Sequence, residues 1–144
     1  GGEPLEQEGV FEFMAELCEQ GYDVAVETGG HVDIALVDPR VTVIMDVKCP
    51  GSGMEKKNRL ANLDYLKPTD EVKFVVRDRE DYDWMRAFIE RERLAERCRE
   101  ILASPVFGEI VYRDLAAWVL EDRLPVRLQL QLHKFIWNPE ERGV

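Results

Sequence analysis

Five segments of the chain carry residues that can bind a small polar ligand. They are Gly1-Gly2-Glu3-Pro4, Glu27-Thr28-Gly29-Gly30, Asp46-Val47-Lys48, Ser104-Pro105-Val106-Phe107 and Leu132-His133-Lys134. Glycine lets the backbone approach a ligand closely and take φ values that other residues avoid. Carboxylates accept hydrogen bonds from ammonium and hydroxyl groups, and a lysine can bind a carboxylate. The pattern is typical of a site that several loops build around one polar molecule.

The carboxylates of the first two segments, Glu3 and Glu27, have different sequence surroundings. Glu27 ends an apolar run, and a carboxylate there is costly if it is buried unpaired, so it should face a ligand or water. Glu3 has two interpretations, because Pro4 suits the first turn of a helix. It accepts from a ligand ammonium group, or it accepts from the first backbone N–H groups of that helix.

Regular elements must hold these segments in place. Short apolar runs predict strands at residues 23–27, 41–47, 71–76, 101–103 and 126–132, and periodic apolar stripes predict helices at 9–20, 55–66, 79–95 and around 115–120. Gly21 and Asp78 are the predicted caps of the first and third helices. Alternating strands and helices predict an α/β fold with a parallel sheet of about five strands. Ligands of such sheets bind at the carboxyl ends of the strands, so the polar segments should converge there.

Composition and charge restrict the class of protein. The 144 residues, 45% of them hydrophobic, predict a single domain over 1–144. The formal net charge of −10 argues against a nucleic-acid binder that relies on phosphate contacts. There is no apolar run of about 18 residues and no signal-peptide pattern. We therefore expect a cytoplasmic protein with neither a nucleic-acid nor a membrane partner.

The three cysteines, Cys18, Cys49 and Cys98, are widely separated. They form neither a disulfide framework nor the closely spaced triplet that holds an iron–sulfur cluster. Lys48 could lower the pKa of the adjacent Cys49 thiol, but no base lies near it in sequence, so we interpret Cys49 as a loop residue. A metal site built from His31, His133 and Cys49 would lack any recognised ligand spacing.

The polar segments, in their order along the chain, resemble the radical S-adenosylmethionine (SAM) enzymes of the 7-carboxy-7-deazaguanine synthase family. Gly1-Gly2-Glu3-Pro4 resembles the GGEP motif, whose backbone binds the amino group of the methionine part of SAM. The other matching blocks are residues 27–30, 46–54, 70–75, 104–108, 128–134 and 142–144. Together these blocks span the whole chain.

The resemblance implies a reaction and its cofactors. The reaction is the ring contraction of 6-carboxy-5,6,7,8-tetrahydropterin to 7-carboxy-7-deazaguanine, with loss of ammonia. The implied cofactors are SAM, a [4Fe–4S] cluster and Mg²⁺, and the implied fold is a partial (β/α) barrel. The partner implied is thus a small-molecule pterin.

One part of the family pattern has no counterpart here. The closely spaced cluster cysteines and the Mg²⁺-contacting threonine are missing, so we expect the C-terminal portion of such an enzyme, without the first strands of the barrel. This chain alone should then be inactive. The alternative is a non-catalytic remnant or a module that binds SAM or a purine. A sheet edge left unpaired also predicts self-association, for example as a homodimer.

The resemblance also implies site residues. Contacts to SAM fall on Gly2, Glu3, Asp46, Val47, Lys48, Ser104, Pro105, Val106 and Phe107. Asp46 suits ribose hydroxyls and Lys48 the methionine carboxylate, although the two could instead form an ion pair at a strand end. Phe107 packs on the adenine or belongs to the core.

Substrate contacts are implied for Glu27, for His133 and for a residue near the end of the chain. The two oxygens of Glu27 can accept from the N–C(NH₂)–N edge of a pterin. His133 contacts the substrate or is a hydrogen-bonded structural histidine. Near the chain end, Pro139 and Val144 are both candidates, and the sequence does not choose between them.

Overall fold

Five parallel strands form one sheet in the computed structural model, which describes residues 2–141. The strands are β1 (Ala25–Thr28), β2 (Thr42–Val47), β3 (Glu71–Val76), β4 (Glu100–Pro105) and β5 (Arg127–Leu128). They lie side by side in chain order, and each neighbouring pair is parallel. The predicted α/β class and parallel sheet are confirmed, and the arrangement is consistent with part of a (β/α) barrel.

The α-helices are α1 (Val10–Glu19), α2 (Arg79–Glu92), α3 (Tyr112–Glu121) and the single turn α4 (His133–Ile136). Both predicted caps are confirmed. Gly21 follows α1 with a φ of +86°, in the left-handed region that ends many helices. The carboxylate of Asp78 accepts a hydrogen bond of 3.0 Å from the N–H of Asp81 in the first turn of α2. No helix of the described part of the chain is long and apolar enough to cross a membrane.

The two faces of the sheet differ because successive side chains of a strand point to opposite sides. On one face, Val47 and Phe74 are buried, and the Phe74 ring meets the Phe88 ring of α2 edge-on with 5.8 Å between centroids. On the other face, Ile44 and Asp46 of β2 are only half-buried. We call this second side the open face of the sheet. Its side chains are the ones available to a ligand.

The amino ends of β2 and β3 are joined by Asp70, whose side chain is fully buried. Its Oδ1 accepts from the N–H of Val43 at 2.9 Å, and its Oδ2 accepts from the N–H of Lys67 at 2.8 Å. The Lys67 ammonium also lies 2.9 Å from Oδ2. A buried carboxylate is tolerated only when it is paired in this way. The polar groups around Asp70 at this end of the sheet are therefore hydrogen-bonded to one another.

Residues 55–66, predicted as one helix, form two short 3₁₀ helices, Glu55–Lys57 and Leu60–Tyr65. The fully buried Asn62 supplies the reason. Its amide donates to the carbonyls of Gly30 and Val32 at 3.2 and 2.8 Å, and its Oδ1 accepts from the N–H of Ile34 at 3.3 Å. Side-chain hydrogen bonds to the loop after β1 thus override the helical pattern.

The last predicted strand, at residues 126–132, is reduced to β5. Beyond it the N–H of Gln129 still donates to the carbonyl of Ala103 at 3.0 Å, and the chain then turns into α4. Leu128 and Leu130 are exposed, so their alternation does not mark a buried sheet face. His133 consequently begins a helix and does not follow a strand directly.

Candidate ligand-binding site

A cleft of about 420 Å³ opens on the open face of the sheet, toward the carboxyl ends of β1 and β2. Its walls include five of the predicted site residues, namely Gly2, Glu3, Glu27, Asp46 and Lys48. The volume lies within the range of small-molecule sites, roughly 300–1,000 Å³. The structure therefore brings the first three predicted segments together in one place.

The turn at Gly2 and Glu3 is fastened to the loop after β1 by the Glu3 carboxylate. Its Oε2 accepts from the N–H of Gly29 at 2.6 Å, and its Oε1 accepts from the N–H of Leu5 at 3.1 Å. Leu5 lies in the 3₁₀ helix Pro4–Glu6, so Glu3 does bind a first helical N–H group. The side chain is only 7% exposed. A direct contact between Glu3 and a ligand stays a prediction.

Asp46 and Lys48 project from the end of β2 into the cleft. The Lys48 ammonium donates to Oδ2 of Asp46 at 2.6 Å, and both side chains are partly buried. The other oxygen, Oδ1, is buried and has no hydrogen-bond partner among residues 2–141. An unpaired buried acceptor is costly, so this atom is suited to accept a hydrogen bond from a ligand.

The backbone of Lys48 is held by the side chain of Asn58. The Asn58 Oδ1 accepts from the Lys48 N–H, and the Asn58 Nδ2 donates to the Lys48 carbonyl, both at 2.9 Å. This amide satisfies both backbone groups just past the end of β2, where pairing with β3 has stopped. The Lys48 side chain therefore starts from a fixed backbone position.

Glu27 of β1 and Lys73 of β3 lie on another wall of the cleft. The Lys73 Nζ is 3.6 Å from Oε1 of Glu27. Ile44 of β2 stands between them, since it is the register partner of Glu27 and β2 separates the two outer strands. The Glu27 side chain is 63% exposed, so its carboxylate remains accessible in the cleft.

The loop after β1 is packed tightly against β2. Gly30 has a φ of +76°, and a Cβ atom at this position would lie 2.7 Å from the carbonyl oxygen of Asp46. Its N–H donates to the hydroxyl of Thr28 at 3.3 Å. His31 is exposed and also lines the cleft, with its Nε2 3.2 Å from Oε1 of Glu6. The close packing of Gly30 against β2 thus places His31, the next residue, at the cleft.

Several predicted SAM contacts lie outside the cleft walls. Val47 is buried on the face that α2 covers. The hydroxyl of Ser104 donates to the carbonyl of Gln129 at 2.7 Å, which gives it a structural partner. Pro105 is buried and Val106 is half-buried. Their contacts with a ligand stay predictions.

The remaining predicted residues lie near α4 or beyond it. The Phe107 ring meets the Phe135 ring edge-on, with 5.5 Å between centroids. His133 is exposed in the first turn of α4, and Pro139 is half-buried after that helix. Val144 lies outside the described residues, as does Gly1. The structure does not bring Phe107, His133 or Pro139 to the walls of the cleft.

Sequence reasoning missed five residues of the cleft wall, which are His31, Ile44, Met54, Lys57 and Lys73. A signal was present for Lys73, because it is a charged residue inside the apolar run of β3. It is also the register partner of Asp46, which places both on the same face of the sheet. Knowing that register would have identified Lys73 as a site residue.

The cysteines do not form a metal site. Cys49 is 1% exposed, and burial raises the pKa of its thiol well above the usual range, opposite to the lowering that Lys48 could cause. Burial also raises the pKa of the half-buried Cys98. Across residues 2–141, no three His, Cys, Asp or Glu side chains are grouped so that they could hold a metal ion.

Fold and cleft together define a parallel α/β protein with a polar, small-molecule-sized site at the carboxyl ends of its strands. No family model matches the chain. Three curated relatives, each named 7-carboxy-7-deazaguanine synthase, align with all or nearly all of it.

The relative from Chlorobaculum tepidum is 47% identical over 147 residues, which cover 100% of this chain and 66% of the relative. The relative from Koribacter versatilis is 45% identical over 157 residues, which cover 100% of this chain and 70% of the relative. The relative from Methanospirillum hungatei is 39% identical, with 96% of this chain and 57% of the relative covered. The chain thus spans only part of the length of each relative. It belongs to the 7-carboxy-7-deazaguanine synthase family.

Proposed function

We propose that the cleft binds SAM and a pterin, and that the chain serves the conversion of 6-carboxy-5,6,7,8-tetrahydropterin to 7-carboxy-7-deazaguanine with loss of ammonia. This is a lyase reaction of queuosine and deazapurine biosynthesis. The observation that carries the proposal is the buried, unpartnered oxygen of Asp46 beside Lys48. The names of the relatives support the reaction class.

The donor and acceptor set at the end of β2 fits SAM. Oδ1 of Asp46 would accept from a ribose hydroxyl. The Lys48 ammonium donates one bond to Asp46 and keeps further N–H donors for the methionine carboxylate. The backbone of Gly2 would bind the methionine ammonium, with Glu3 holding that turn in place. SAM would supply the radical chemistry of the reaction only with one electron from a reduced iron–sulfur cluster.

Glu27 and Ile44 provide the complementary groups for the pterin. The exposed carboxylate of Glu27 accepts from the adjacent donors of the N–C(NH₂)–N edge, a two-point contact that fixes the orientation of the ring. Ile44, between Glu27 and Lys73, offers an apolar surface to the face of the ring. Polar groups at the edge and an apolar floor are the usual composition of such sites.

Residues 2–141 do not fit the [4Fe–4S] cluster or the Mg²⁺ that the family resemblance implies. A cluster needs three thiolates within reach of one another. Cys49 is buried with a raised thiol pKa, and the described residues contain no three-ligand group for a metal. A second candidate function, binding of SAM or a purine without catalysis, is favoured by this observation for the chain by itself.

Calorimetric titration of SAM into the 144-residue chain tests the proposal. We expect binding by the wild-type chain, and an affinity about 10-fold lower for Asp46→Asn, because the variant loses a charged acceptor. Asp64→Asn is the matched control, since Asp64 is 78% exposed and pairs with Arg97 outside the cleft. A wild-type chain that does not bind SAM, or an Asp46→Asn chain with wild-type affinity, contradicts the proposal. Formation of 7-carboxy-7-deazaguanine would rule out the second candidate.

A further inference from the structure

Lys73 is a charged side chain in the middle of a sheet. It lies on β3 between the fully buried Val72 and Phe74, and its own side chain is 20% exposed on the open face. Removing an ammonium group from water is costly, and apolar residues fill strand interiors without that cost. The packing of the sheet therefore does not account for a lysine at this position.

The partner of Lys73 is a carboxylate two strands away. Glu27 belongs to β1 and Lys73 to β3, with β2 between them. The two side chains meet above Ile44, with 3.6 Å between Nζ and Oε1 of Glu27. Glu27 is 63% exposed at a sheet edge, a position at which a glutamate would otherwise sample several rotamers. The ion pair restricts that freedom at the wall of the cleft.

We propose that Lys73 is a positioning residue that sets the specificity of the cleft for ligands carrying the 2-amino group of a pterin or guanine. The inference rests on the proposed function, in which Glu27 reads the N–C(NH₂)–N edge. By holding one carboxylate oxygen, Lys73 aligns both oxygens with the two donors before the ligand arrives. A carboxylate aligned in advance loses less freedom on binding, and it penalises a ligand that lacks one donor.

The test compares two probes, 7-carboxy-7-deazaguanine and its analogue with hydrogen in place of the 2-amino group. Their dissociation constants are measured by calorimetry for the wild-type chain, for Lys73→Met and for Lys73→Arg. Lys56→Met is the control, because Lys56 is an exposed neighbour of the cleft residue Lys57 and is not part of the cleft wall. SAM is titrated into each variant as a reference ligand.

For the wild-type chain we expect a preference of about 10-fold or more for the probe with the amino group. Lys73→Met should reduce this ratio to about 3 or less, while Lys73→Arg and Lys56→Met keep it. The affinity for SAM should be the same in all four proteins. A loss of structure would weaken both probes and SAM together, so the ratio separates positioning from folding.

Two outcomes overturn the inference in distinguishable ways. A wild-type chain that binds neither probe overturns the substrate part of the proposed function and this inference with it. A wild-type preference that survives unchanged in Lys73→Met overturns the inference alone. A Lys73→Arg chain that loses the preference as fully as Lys73→Met also contradicts the inference. Arginine would keep a positive charge next to Glu27, and that charge would then not produce the preference.

Discussion

The carboxylate of Glu3 accepts a hydrogen bond of 2.6 Å from the backbone N–H of Gly29, 26 positions later in the chain. This bond ties the turn before α1 to the end of β1, and so brings Gly2 to the same cleft as Glu27. The second oxygen of Glu3 accepts from Leu5, which means that one buried carboxylate orders both sides of the junction. The turn at Gly2 and Glu3 is therefore held at the wall of the cleft.

Replacing Glu3 with alanine should lower the free energy of unfolding by about 1.5–3 kcal/mol, because the backbone N–H groups of Gly29 and Leu5 lose a charged acceptor. Urea denaturation measures the change. Glu8 is exposed and, like Glu3, precedes α1, so Glu8→Ala should change the free energy of unfolding by less than about 0.5 kcal/mol. Equal effects of the two substitutions would contradict a structural role for Glu3.

Alanine substitutions at Gly30 and Gly53 distinguish the cost of backbone strain from the cost of a steric clash. Both have positive φ, +76° and +67°, but only at Gly30 would a Cβ meet backbone, 2.7 Å from the Asp46 carbonyl oxygen. Gly53→Ala should destabilise by about 1 kcal/mol through strain alone. Gly30→Ala should cost about 1–3 kcal/mol more, since the loop after β1 must move away from β2.

Thermal and urea unfolding of both alanine variants provide the measurement. The Gly30→Ala chain should also bind SAM more weakly than the Gly53→Ala chain, because Gly30 packs against the backbone of Asp46. If the two variants unfold at the same urea concentration, then the close approach at Gly30 does not constrain the loop.

The bounds of β3 and the cap of α2 were predicted correctly from the sequence. Glu71–Val76 has the bounds that its apolar run predicted, and Asp78 caps α2 as its position before the helix indicated. These features are local, since they depend on neighbours within a few residues. The family resemblance is likewise confirmed by the relatives, because it rested on motifs in the sequence itself.

The parts that sequence reasoning missed depend on contacts between distant residues. Lys73 became a cleft residue only through its register with Asp46 and its reach to Glu27, which a single strand pattern does not reveal. Asn62 lies in the stretch 55–66 that the apolar stripe predicts as one helix, yet it is fully buried against the loop after β1. The sequence places Lys48 beside Cys49, but it does not show the burial that raises the pKa of the Cys49 thiol.

Tyr82 and Asp122 form a contact between α2 and the end of α3. The Tyr82 hydroxyl lies 2.8 Å from Oδ2 of Asp122, and this hydrogen bond is the main cause that lowers the pKa of the Asp122 carboxyl. A carboxyl with a lowered folded-state pKa stabilises the fold above its unfolded pKa, and that stability is lost as the pH falls through the folded pKa.

Tyr82→Phe should therefore be less stable than the wild-type chain at about pH 7, and the difference should shrink toward about pH 3. Urea unfolding at both pH values measures it. Tyr22→Phe is the control, since Tyr22 is 62% exposed and should show no difference at either pH. A Tyr82→Phe deficit of equal size at both pH values would argue against the contact with ionised Asp122.

Cys49 should be the slowest of the three thiols to react with iodoacetamide in the folded chain. It is 1% exposed, and its raised pKa leaves less thiolate, the reactive form, at about pH 8. Peptide mass spectrometry after short labelling gives the order of reaction, and labelling in urea should remove the difference. Early modification of Cys49 under native conditions would contradict its burial.

Anaerobic incubation of the chain with iron and sulfide should yield no stoichiometric [4Fe–4S] cluster. Three thiolates must converge on one cluster, whereas burial raises the pKa of Cys49 and Cys98, and the described residues contain no three-ligand group. Iron and acid-labile sulfide are counted per chain after desalting, with a Cys18→Ala variant as the comparison. A full cluster in the wild-type chain and not in Cys18→Ala would show that the cysteines rearrange to bind it. Equal, substoichiometric iron in both would show that the metal is bound non-specifically.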